Sequence, residues 1–137
     1  MNGVNYRDRR FRHNVELFHD LESTEDGIPI IKPERWQQMD FISFNYAKTE
    51  KRPTGKGVHF FLDDYQFERM WTQAEQSIEI LNRFDAVMTP DFSTYIDWPV
   101  PVQRWNHYRK HCIGAYMQQL GLRVYPSISW SDDASFD

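Results

Sequence analysis

Residues 57–64 read GVHFFLDD, a short apolar run that opens on glycine and ends in two adjacent carboxylates. An apolar run of this length, bounded by a turn residue, is the pattern of a buried strand. Charge placed where the strand leaves the sheet is informative, because open α/β sheets and β/α barrels build their sites on that rim. Two later segments repeat the layout. Residues 86–89, AVMT, read as a strand leading into PDFSTY, and residues 122–128, LRVYPSI, as a strand leading into SWSDD. Helical patterns lie between them at 65–71, 74–84 and from about 99 to 120. Asp64 stands where an N-cap belongs, Pro99 and Pro101 fit only a first turn, and Gly121 stands as a C-cap. Alternation of strand and helix is the signature of βαβ crossovers. The expected fold is α/β: an open parallel or mixed sheet with helices packed on it, resembling an incomplete barrel. A closed eight-stranded barrel takes upward of about 200 residues, more than the 137 of this chain.

Residues before this core are less patterned. The stretch 1–14 carries Arg7, Arg9, Arg10 and Arg12 and reads as a basic arm, most simply a solvated terminus. Residues 15–22 fit a short helix loosely, and 28–32 an extended piece between prolines. Pro33 suits the first turn of a small helix over 34–39. DFISFNYA, residues 40–47, alternates as a strand. The basic segment 48–56, KTEKRPTGK, contains Gly-Lys-Gly continuing into residue 57 but lacks P-loop spacing, and reads as a mobile linker. The whole is expected to be one domain.

Composition narrows the function classes. Residues 57–137 hold six basic against eleven acidic side chains, whereas residues 1–56 hold ten against nine. An acidic half counts against general nucleic-acid binding, leaving only the 1–14 arm and the 48–56 loop as routes to it. It favours basic partners, metal ions or plain solubility. The single cysteine, Cys112, excludes an intramolecular disulfide and falls in a helical pattern as a small core residue. No apolar run approaches a membrane span and no signal peptide opens the chain, so a soluble cytoplasmic protein without membrane association is expected. Unpaired sheet edges make a homo-oligomer an expectation as well.

The rim residues are the candidate site: Asp63, Asp64, Tyr65, Asp91, Ser93, Ser127, Ser129 and Trp130. Asp63, Asp64 and Asp91 together would suit Mg²⁺ or Mn²⁺, which take carboxylate oxygens beside a phosphate-bearing substrate. Capping and turn formation explain Asp64 and Asp91 equally simply, so no cofactor is the default. His107 and His111 share a helix face but lack the glutamate of HExxH and a third ligand. His59 reads as a satisfied interior histidine. Ser93 and Ser129 lie outside GxSxG. Trp98, Trp105 and Trp130 read as packing residues. The catalytic residues, if any, stay unassigned by pattern.

The strings GVHFFLDDYQFERMW, FDAVMTPDFSTYIDWP and RWNHYRKHCIGAYMQQLGLRVYPSISW closely resemble an uncharacterised family of bacterial and phage proteins, a domain of unknown function marked by a PDFS motif. The resemblance runs from about Phe41 to the end. Its shared positions here are Asp63, Asp64, Tyr65, Pro90, Asp91, Phe92, Ser93 and Trp130, and it assigns a role to none. Members of that family continue past the SISW-like segment with further strand–helix units.

Two functions follow as expectations. The first is a phage or mobile-element accessory protein that binds, and inhibits, a host or defence protein. The second is a metal-assisted enzyme with a carboxylate site at the strand exits.

Overall fold

The computed structural model describes residues 13–14, 17–18, 20–62, 68–90, 92 and 97–126. Four parallel strands form one sheet in the order β1 (Asp40–Ser43), β2 (Lys56–His59), β3 (Ala86–Met88) and β4 (Val124–Tyr125). Between them run α1 (Phe44–Ala47), α2 (Arg69–Thr72), α3 (Ala74–Leu81) and α4 (Val100–Gln119). The α/β architecture is as read from the alternation of patterns, and the sheet is wholly parallel rather than mixed. One isolated antiparallel bridge, Ser23 to Pro29, stands outside it.

Register fixes which side chains share a face. Ser43 pairs with His59, Val58 with Val87, Val87 with Val124 and Met88 with Tyr125. Val58, Val87 and Val124 therefore lie on one face, with Ile42 packed beside them. They join a single buried cluster with Met70, Trp71, Ile78, Leu81, Cys112, Ile113 and Met117 of the helices. The opposite face carries Phe41, Ser43, Gly57, His59, Ala86, Met88, Arg123 and Tyr125. Among the described residues, no helix covers it.

That second face is crossed over Phe41 and Tyr125 by the segment 33–37. The sequence pattern predicts a helix there, and the structure has none. Its backbone groups bond to side chains instead: Gln37 N–H donates to Tyr125 Oη (3.1 Å), and Tyr125 Oη donates to the Arg35 carbonyl (3.2 Å). Trp36 stacks on Phe41 (5.7 Å between centroids) and tilts against Tyr125 (4.8 Å). Just upstream, the Gln118 side chain bonds both N–H and C=O of Lys32. Tertiary partners outbid the local helix. A Cβ at Gly57 would run into the Phe41 ring, so the second residue of β2 has to be glycine for this aromatic layer to close down.

Two further expectations are corrected. The 40–47 strand ends at Ser43, and its second half is α1. Large rings on both sides of the alternation made it ambiguous. Phe44 and Ala47, three apart, are buried, and Phe44 stacks on Phe60 at 5.0 Å. The 48–56 segment is pinned, not a loose linker. Arg83 donates to the carbonyls of Ala47 and Lys48 (3.3 Å each) and to that of Glu50. Glu50 in turn holds Lys56 Nζ (3.1 Å) and the Arg52 N–H (2.9 Å). These contacts draw the Glu50 carboxyl below its ordinary pKa, the Arg52 backbone bond first and Lys56 next.

The C-terminus of α4 follows the sequence reading. Gly121 takes φ +93°, its N–H reaches the Gln118 carbonyl (3.0 Å), and Leu122 N–H reaches that of Met117 (3.0 Å). This is a Schellman ending, which turns the chain directly into β4.

Candidate functional site

The carboxyl ends of the strands bring together Ser43, His59, Met88 and Tyr125 in one row across the sheet. His59 is half-buried. The Phe61 N–H donates to its Nδ1 (3.2 Å), which places the proton of the neutral ring on Nε2, facing Ser43 Oγ at 3.4 Å. Burial lowers its pKa, which favours the neutral ring. In this arrangement His59 donates to Ser43 and is not a base that activates it.

Beyond β1 and β2 the chain exposes two large rings. Tyr46 is 62% and Phe61 61% exposed, and Phe61 stacks on His59 at 5.2 Å. Both rings follow the exits of neighbouring strands.

Beneath the rim lies a polar network that the hydropathy pattern did not announce. The sequence spacing puts Trp105, Tyr108, Cys112, Ala115, Tyr116 and Met117 or Leu120 on the buried face of α4; Cys112, Ala115 and Met117 are buried, and Trp105, Tyr108 and Tyr116 pack partly buried against the core. The helix also buries Gln103, Asn106, Arg109, Lys110 and Ile113, which that reading did not include. Spacings of three and four are kept, but the half of the helix nearest the strand exits buries polar groups. Gln103 Nε2 donates to the Trp98 carbonyl (2.8 Å). Arg109 donates from Nη1 to Glu68 Oε1 (2.6 Å) and from Nη2 to Asn106 Oδ1 (2.7 Å). Its guanidinium lies 4.0 Å from the Phe92 ring centroid, with Trp71 and Trp105 within 6 Å. Arg109 thus ties the segment after β2, through Glu68, to the segment after β3, through Phe92. The signal for it in RWNHYRKHC was spacing without hydropathy: Asn106 and Lys110 sit four apart on the line that continues to Ile113 and Met117.

The candidate residues Asp63, Asp64, Tyr65, Asp91, Ser93, Ser127, Ser129 and Trp130 all lie outside the described residues. Among those described, no group of three or more His, Cys, Asp or Glu is arranged to hold a metal ion. His107 and His111 do share a face, their ring centroids 4.4 Å apart. His111 Nδ1 bonds the Pro29 carbonyl (3.0 Å), and its pKa is pushed down to about 4 by burial first and by His107 second. Cys112 is a buried core residue whose thiol burial pushes up to about 12. Trp105 packs edge-on against Trp71 at 5.3 Å. No helix among the described residues is long and apolar enough to cross a membrane.

Comparison with known proteins adds to this geometry. The model of a family described as a domain of unknown function, DUF4417, matches residues 21–137. The "Gene 1 protein" of Mycobacterium phage L5 is 41% identical over 126 residues, covering 90% of this chain and 55% of that protein. The "Gene 1 protein" of Mycobacterium phage D29 is 34% identical over 112 residues, covering 80% and 42%. The chain therefore spans about half the length of the curated relatives it matches. No solved structure matches.

Proposed function

Because this chain belongs to the DUF4417 family, and its matched relatives are phage proteins, we propose that it is a phage or mobile-element accessory protein that binds a host or defence protein and inhibits it. The observation carrying this reading is the exposure of Tyr46 and Phe61 at the exits of adjacent strands. Aromatic rings of this kind supply large contact area at small entropic cost and dominate binding where they are found in interfaces. The net charge of −5 on residues 57–137 adds a preference for a basic partner surface and a salt dependence. The experiment is capture from host lysate across a salt series with the full chain, Tyr46→Ala and Phe61→Ala as baits. A partner held by the full chain at low salt, weakened at high salt and lost from both variants is expected. Equal recovery by all three baits would contradict the reading.

A second reading, a metal-assisted enzyme acting on a phosphate-bearing substrate through Asp63, Asp64 and Asp91, draws on one contact. Glu68 and Phe92, which flank the stretches carrying these aspartates, both touch Arg109. Calorimetric titration of Mg²⁺ and Mn²⁺ tests it. Saturable binding that disappears in Asp63→Ala supports this reading, and absence of heat removes it. Nucleic-acid binding through 1–14 and 48–56 ranks behind both, because Lys56 is engaged by Glu50 and the second half of the chain is acidic.

A further inference from the structure

Two hydrogen-bond donors meet at the carboxyl ends of β1 and β2. The Phe61 N–H occupies His59 Nδ1, so the proton of the neutral ring sits on Nε2 and faces Ser43 Oγ. Their separation of 3.4 Å is longer than a well-formed N–H···O bond, which leaves both groups with donor capacity for a third atom. Ser43 and His59 are half-exposed, and so is Met88, the next residue of the same row across the sheet. Elsewhere this face is closed. Trp36 lies against Phe41 and Tyr125, and Ala86 and Tyr125 are buried. Phe41 and Tyr125 stand on the two edge strands, yet their ring centroids are only 6.4 Å apart, so the face is concave. Phe61 flanks the row, stacked on His59 with 28° between the ring planes and 61% exposed.

The chemistry of this hollow selects its occupant. An oxygen lying against both donors receives one bond from His59 Nε2–H and one from Ser43 Oγ–H. Met88 and Phe61, a polarizable thioether and an aromatic ring, offer contact to a flat ring beside that oxygen. Burial favours the neutral form of His59, and the other three side chains carry no charge. The net charge of −5 on residues 57–137 works against a free anion. Crevices outside the carboxyl ends of parallel strands are where open α/β sheets take ligands, and such sites pair apolar walls with a few placed polar groups.

We propose that the hollow bounded by Ser43, His59, Met88 and Phe61 binds a neutral planar ring carrying a carbonyl oxygen, the chemistry of a nucleobase. Ser43 Oγ–H and His59 Nε2–H hold the oxygen, and the ring lies against Met88 and Phe61. This inference goes beyond the partner-binding reading and does not rest on it, since its test needs no partner.

The test is titration of uracil into the full chain, followed by nuclear magnetic resonance of the backbone amides and the His59 ring, with inorganic phosphate as the anionic control. Saturable shifts at Ser43, His59, Phe61 and Met88 are expected, with a dissociation constant of about 1 mM, which a ligand of about eight non-hydrogen atoms can reach. Phosphate is expected to give no saturable shift there. Ser43→Ala removes one donor, and His59→Phe removes the other while keeping a ring against Phe61. Each is expected to weaken uracil about 5- to 10-fold. Uracil shifts that never saturate overturn the proposal, as do shifts that saturate alike in the parent and in both folded variants. Phosphate saturating the same residues also overturns it. Should either variant unfold, the parent's response to uracil against phosphate decides alone. Neither variant alters Tyr46 or the charge of the acidic half, so failure here leaves capture from host lysate as a separate test.

Discussion

Replacing Arg109 by methionine keeps most of the stem's volume and removes the guanidinium, which isolates what the charged head contributes. The ion pair with Glu68 is short, but the Glu68 side chain is 43% exposed, so solvent screening leaves it worth about 1 kcal/mol. Stacking on Phe92, inside a site where Arg109 itself is nearly buried, adds about 1–2 kcal/mol. The bond to Asn106 adds about 1 kcal/mol more. Arg109→Met is therefore expected to cost about 3 kcal/mol, a large share of the ~5–15 kcal/mol that holds a domain together. Urea unfolding is the assay. With a slope of roughly 1.5–2 kcal/mol per molar for a chain of this size, the midpoint should fall by ~1.5–2 M. Arg109→Lys should recover little, because the ammonium offers neither the planar fork nor the stack. Glu68→Gln should cost no more than about 1 kcal/mol. A midpoint for Arg109→Met within ~0.3 M of the parent would refute the role assigned to this residue. Equal losses for Arg109→Met and Glu68→Gln would show that the ion pair, not the aromatic stack, carries it.

Three further outcomes follow from the same structure. His111 is neutral in the fold, with its pKa down to about 4 against an ordinary 6.5, so the unfolded chain binds the extra proton between those values. Its contribution is intact above pH 6.5 and shrinks as pH falls toward 4; after allowance for its partial exposure, unfolding at pH 5 should show a loss of about 1 kcal/mol that His111→Gln abolishes. Gly57→Ala should cost about 2 kcal/mol in thermal or urea unfolding through its collision with Phe41, and Phe41→Leu in the same chain should recover part of it. Cys112, buried and with its thiol pushed up to about 12, should resist thiol reagents in the native protein and react fully in denaturant, as read by mass spectrometry.

The parallel sheet was legible because strand-like runs at 57–62, 86–89 and 122–128 alternate with helical spacing, and β2, β3 and β4 fall on them, β2 starting one residue earlier at Lys56. Gly121 was legible for an equally local reason. What escaped was set by distant partners. Residues 34–39 carry an acceptable helix start, yet Tyr125 and Phe41, remote in sequence, capture Trp36 and the neighbouring backbone. The 48–56 loop looks loose in composition, and only Arg83, more than thirty residues away, reveals that it is tied down. Of the candidate site, sequence located the strand exits but scored α4 by hydropathy. It therefore followed Trp105, Tyr108 and Cys112 and passed over Gln103, Asn106, Arg109 and Lys110, which the same helix buries. Tyr46 was hidden inside an expected strand, and its exposure follows from the turn into α1.

The central claim is that the strand-exit rim is the surface that meets the partner. Hydrogen exchange of the captured complex, compared with the free protein, tests it most directly. The account predicts new protection concentrated at residues 44–47 and 60–62, around Tyr46 and Phe61. Protection confined to the outer surface of α3 and α4, with those segments unchanged, would contradict it.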